Sequence, residues 1–119
     1  EDVLLAGQTL SWMHLHWLSW QVETVPSGAR VLGSSDGCAV QMWARGMATY
    51  GIQFHPECDI TTPVAWAGDD TDMLRTAGMT AEMIQQQTEV HFDTYQRLTN
   101  RLYEAIASLL FPSKHRQPA

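Results

Sequence analysis

From Thr80 to Leu110 the sequence keeps a single periodic apolar stripe, and nothing else in the chain constrains its fold as strongly. Ile84, His91, Tyr95, Leu98, Leu102, Ile106 and Leu109 recur at three-, four- and seven-residue spacing, which places them on one face of a helix. Thr80 suits an N-cap, Glu82 suits the first turn, and Pro112 marks the end. A helix of this length cannot bury its stripe alone and needs a partner layer. The stripe itself reads as packing, with His91 an interior histidine and Glu82, Glu89 and Glu104 facing solvent.

The partner layer comes earlier in the chain. Residues 9–26 are rich in aromatics (Trp12, Trp17 and Trp20, with His14 and His16 between them) and predict one or two strands, ended by Pro26-Ser27-Gly28. Residues 29–34 predict a short strand, with a turn at Ser35-Asp36-Gly37. Residues 38–44 and 47–54 predict a hairpin around Arg45-Gly46. Residues 58–70 read as irregular, with Pro63 and Gly68 as breakers. Asp70 or Thr71 caps a short helix running to Ala77, stopped by Gly78. The polar tail Pro112–Ala119 reads as frayed. The expected class is α/β: a hairpin-containing sheet and a long C-terminal helix. One helix covers one sheet face, so the other face predicts an oligomer or a missing partner segment.

With 119 residues, 45% of them apolar and 17% charged, the chain suits one domain over residues 1–119 and shows no disorder-type bias. Seven basic against thirteen acidic residues give a net charge of −6, which argues against an electrostatic nucleic-acid footprint. No stretch has the length of a membrane span, and Glu1–Gly7 lacks the cationic start of a signal peptide. Two cysteines, Cys38 and Cys58, make no disulfide framework. Together these predict a cytoplasmic protein with neither membrane nor nucleic acid as partner. The first residue is not methionine, as in a cut piece of a longer protein or a processed chain.

Chemistry concentrates in Gly51-Ile52-Gln53-Phe54-His55-Pro56-Glu57. Proline biases the residue before it towards extended geometry, and extended residues at i and i+2 share a side. Glu57 can then hydrogen-bond one imidazole nitrogen of His55 and fix its tautomer, leaving the other free to take a proton. That is the base and orienter of a nucleophilic triad, without a nucleophile.

At this heptapeptide the sequence resembles the class I, triad-type glutamine amidotransferases, whose catalytic domain ends with a strand leading into a His-Pro-Glu turn. Val25-Pro26-Ser27-Gly28-Ala29-Arg30-Val31-Leu32 is similar to the family's segment before the hairpin. Ser34-Ser35-Asp36-Gly37-Cys38-Ala39-Val40-Gln41 is similar to its first hairpin arm, and residues 92–111 resemble the terminal helix of small stand-alone members. The likeness covers most of residues 16–111. It implies the C-terminal half of a glutamine amidotransferase-like layered domain. It also implies a Cys-His-Glu triad in which His55 and Glu57 are catalytic, glutamine is the substrate, and neither metal nor organic cofactor is required. The family's nucleophile lies in an upstream Gly-x-Cys-x-Gly elbow that does not occur here. Cys38 matches a hairpin cysteine, and Cys58, next to Glu57, is badly placed to attack. The family's histidine and aspartate before the Pro-x-Gly segment fall on His16-Trp17-Leu18-Ser19-Trp20-Gln21. There His16 is the candidate substrate-binding residue, and the aspartate is missing.

Two other readings stand beside this one. His14 and His16, with His55, Glu57 or Asp59, could bind a divalent metal, although polar positions in an aromatic-rich strand are the simpler reading and no metal is assigned. Trp12, Trp17, Trp20, Trp43 and Trp66 could form a stacking platform, but core or an interface between copies is the more ordinary use. The latter would make the chain a non-catalytic assembly module.

Overall fold

A computed structural model describes residues 2–9, 11, 13–18 and 20–111. Trp12, Pro112 and the tail to Ala119 lie outside them. Three strands, β1 (Ala29–Ser35), β2 (Cys38–Arg45) and β3 (Thr49–Ile52), form an antiparallel sheet in the order β1-β2-β3. Three helices follow: α1 (Thr62–Asp69), α2 (Thr71–Thr76) and α3 (Ala81–Leu109). The molecule is therefore mixed α/β, with a three-stranded sheet and a long C-terminal helix.

Ser35 pairs with Cys38 across the two-residue turn Asp36-Gly37. The second turn is longer than the sequence predicts. Arg45 pairs with Thr49, so the loop is Gly46-Met47-Ala48, opened by Gly46 at φ 62°. Glycine takes this left-handed conformation without the strain a Cβ would bring. On β2 the even positions Cys38, Val40, Met42 and Ala44 are all buried, the period-two signature of a strand facing a core.

Among the described residues of 9–26 the predicted strands do not form. Leu15 makes one isolated antiparallel bridge to His55, whose N–H donates to the Leu15 carbonyl at 2.8 Å. The pairing goes no further because the chain turns at Pro56-Glu57, directly after His55. Side chains anchor the segment instead. The Gln53 side-chain oxygen accepts from the Val22 N–H at 2.9 Å, and the Gln53 amide donates to the Val40 carbonyl.

Residues 58–70 are not irregular either. Pro63 stands in the first turn of α1, where its missing N–H costs nothing. Asp59 caps the helix: its Oδ1 accepts from the Thr61 and Thr62 amides at 2.8 and 3.0 Å and from both hydroxyls. The predicted caps of the later helices hold. Asp70 accepts from the Met73 N–H at 2.9 Å, Thr80 accepts from the Met83 N–H at 3.2 Å, and Gly78 turns at φ 69°.

α3 serves two cores. Towards its C-terminal end Leu102 packs with Leu4, Met42 and Phe54 beneath the sheet, flanked by Leu32, Tyr50, Ile52 and Ile106. Towards its start Ile84 packs with Ala67 and Leu74, flanked by Trp17 and Met79. Leu109, the last residue of the predicted stripe, is half exposed. The N-terminus is tied in by Asp2, which caps a single 3-10 turn at Val3–Leu5 and accepts from the Tyr50 hydroxyl and Arg30. The His-Pro-Glu turn lies between the two cores, against the middle of α3.

Candidate functional site

Beyond Ile52 the chain continues to Phe54, whose side chain enters the sheet core, and delivers His55 to the sheet's end. The His55 Nδ1 stands 2.6 Å from the Glu57 Oε1, so the two-residue spacing brings the pair together as the sequence predicts. The imidazole is 24% exposed and the Glu57 side chain 54%. In such an open setting a salt bridge adds little stability and serves mainly to orient the ring.

The second ring nitrogen is not free. Nε2 lies 3.0 Å from the Trp17 carbonyl oxygen. The Leu15–His55 bridge draws residues 15–17 alongside, and Trp17, two residues beyond Leu15, reaches the ring. Both neighbours are acceptors. A neutral imidazole has one N–H and serves one of them, whereas the imidazolium serves both. For His55 to take a proton at Nε2 from a nucleophile, the Trp17 carbonyl has to make way for that nucleophile. The Trp66 indole meets the His55 ring edge-on at 4.9 Å, and Trp17 lies 6.1 Å from Trp66.

The backbone of the turn hangs on one side chain of α3. The Tyr95 hydroxyl donates to the His55 carbonyl at 2.7 Å and accepts from the Cys58 N–H at 3.1 Å. Burial, followed by neighbouring Cys58, pushes the phenol up to about 12, so it keeps its proton at any ordinary pH. The periodic pattern places Tyr95 on the packing stripe and does not reveal this role. The available signal was its polar handle, which usually finds a partner when the ring is buried.

Both cysteines are buried as free thiols. Cys58 is buried, and burial, reinforced by the Glu57 charge, pushes its thiol up to about 11, whereas a nucleophilic cysteine needs the thiolate. Cys38 is buried under the sheet, its thiol donating to the Val40 carbonyl at 3.4 Å with the Gln53 amide 3.6 Å away.

His16, the candidate substrate-binding residue, faces the Gln41 amide, with Gln41 Nε2 donating to its Nδ1 at 2.9 Å and to the Ser35 hydroxyl at 3.0 Å. Burial, then the charge of His55, hold its imidazole below the usual range. His14 is stacked on Phe54 at 3.8 Å and edge-on to Tyr95 at 5.5 Å. Hydrogen bonds from Thr61, then Thr62, hold the Asp59 carboxyl below its usual value and commit it to capping α1. Among the described residues no three His, Cys, Asp or Glu side chains are grouped to hold a metal ion. Also among them, no helix is long and apolar enough to cross a membrane.

The arrangement is thus an oriented histidine at a strand end, set edge-on against the Trp66 indole, with its backbone held by a buried tyrosine. No family model matches the chain, and neither a curated protein nor a solved structure is found to match it.

Proposed function

We propose that this chain supplies the His-Glu portion of a class I glutamine amidotransferase-like site, with the nucleophilic cysteine contributed from outside these 119 residues. The observation that carries the reading is the 2.6 Å contact between the His55 Nδ1 and Glu57 at the end of a strand. The sequence likeness of residues 16–111 to that family adds to it, and so does the absence of a thiolate from the site. In this reading His55 deprotonates the incoming cysteine after the Trp17 carbonyl has withdrawn from Nε2, and Glu57 holds the imidazolium that forms. The thiolate attacks the glutamine side-chain amide. His55 returns the proton to the departing ammonia, and water then cleaves the thioester to release glutamate.

The test is ammonia release from glutamine. The protein made from its full coding sequence is expected to turn over, and His55→Ala to lower that rate at least about a thousandfold, as loss of a triad base does. The 119-residue chain alone is expected to be inactive. Absence of glutamine hydrolysis by the full product, or His55-dependent hydrolysis by the short chain, overturns the proposal.

A second reading rests on apolar side chains left in water, Trp20 at 90% and Met47 at 93% exposure. On that reading the chain is a non-catalytic module that self-associates through its aromatic-rich face. A well-folded monomer in sedimentation at high protein concentration excludes it.

A further inference from the structure

We propose that Tyr95 is a positioning residue that sets the geometry of the His55–Glu57 pair by completing the turn on which both residues stand. His55 and Cys58 occupy the first and last positions of a four-residue turn with Pro56 second, the place where proline is favoured. In a closed β-turn the carbonyl of the first residue accepts directly from the N–H of the fourth. Here the Tyr95 hydroxyl engages both of those groups, donating to the His55 carbonyl at 2.7 Å and accepting from the Cys58 N–H at 3.1 Å. One oxygen atom on a helix thus ties both ends of the turn and sets how they are spaced. That spacing decides where Glu57, third in the turn, lies relative to the ring of His55.

The hydroxyl can do this because the rest of the side chain is fixed. Tyr95 is 7% exposed and packs against Phe92 at 5.6 Å and His14 at 5.5 Å. It leaves α3 between the two core clusters, so its position is referred to both. Its proton is retained through the neutral range, so the donor half of the bridge is always present. Pro56 has no N–H with which to tie the turn in another way.

The proposal rests on the reading of His55 and Glu57 as a working pair, but its test reads the pair directly and not the turnover. In nitrogen-edited proton NMR the His55 Nδ1–H is expected as a far-downfield signal, assigned by its loss in Glu57→Gln. Tyr95→Phe keeps the ring and its packing and removes the bridge. It is expected to move the signal upfield and broaden it. Leu98→Ala, on the same helix and in the core, is expected to lower the melting temperature by at least as much while leaving the signal in place. An unchanged signal in Tyr95→Phe overturns the proposal, as does an equal displacement by Leu98→Ala, which would make the effect one of packing alone. Inactivity towards glutamine with the NMR result as expected would remove the enzymatic reading and keep the positioning role.

Discussion

Cys58 follows Glu57 directly, yet the turn that exposes the carboxylate buries the thiol. Its backbone N–H is held by Tyr95, and the residue lines a small cavity with Met13, His14 and Leu15. With the thiol pushed up to about 11 by burial and by Glu57, about one molecule in a thousand carries a thiolate at pH 8. Alkylation by iodoacetamide at that pH is expected to be on the order of a hundredfold slower in the native protein than in guanidinium, where the thiol titrates normally. Mass-resolved labelling of Cys58 measures the ratio. Labelling at the unfolded rate would show the thiol to be accessible and activated, and would reopen Cys58 as a nucleophile.

Among the elements, the sheet depends on a fit between Trp43 and Gly51, cross-strand partners on β2 and β3. The indole lies over the glycine so closely that a Cβ there would stand 2.2 Å from the Trp43 ring nitrogen. An aromatic covering a strand glycine replaces the packing that the missing side chain would provide. Gly51→Ala displaces the indole and is expected to cost about 1–3 kcal/mol, the usual range for overpacking. Urea unfolding together with tryptophan fluorescence checks both parts. A stability change near zero with unchanged emission would mean that the indole has room to move.

Elements of this kind were legible in the sequence to different degrees. The α3 stripe and its cap, the Asp70 cap of α2, the Gly78 stop and the β1–β2 turn follow from local chemistry and are where it puts them. The strands predicted in the aromatic segment 9–26 fail because β-type residues make a strand only where a backbone partner continues. Here the turn at Pro56-Glu57 ends that partner after one bridge. Pro63 was read as a breaker because its helix-starting use depends on Asp59, a cap set back from the helix start. At the site, the His55–Glu57 contact was visible because two residues fix it. The Trp17 carbonyl on Nε2 and the Tyr95 bridge were not, since each joins residues about forty positions apart.

At the scale of the whole molecule, α3 joins two small cores, and His14 lies at the seam. Its ring stacks on Phe54 of the sheet core and meets Tyr95, which carries the His-Pro-Glu turn. Burial pushes its imidazole from 6.5 down to about 3, so the folded protein keeps it neutral where an unfolded chain would be protonated. The sign follows from proton binding. Between about pH 6.5 and 3 the unfolded state holds more protons at this residue, so stability is full above 6.5 and falls as the pH drops through that window. By pH 5 the loss from this one group is about 2 kcal/mol, an upper figure because the ring keeps some contact with solvent. In urea that is a midpoint lower by about 1 M than at pH 7. His14→Leu removes the titration and is expected to flatten the pH 7 to pH 5 difference even where it changes stability at pH 7. An equal midpoint shift in the variant would mean that acid opens the molecule elsewhere. A flattened one would place the acid-sensitive contact at the seam between the two cores, beside the turn that holds His55 and Glu57.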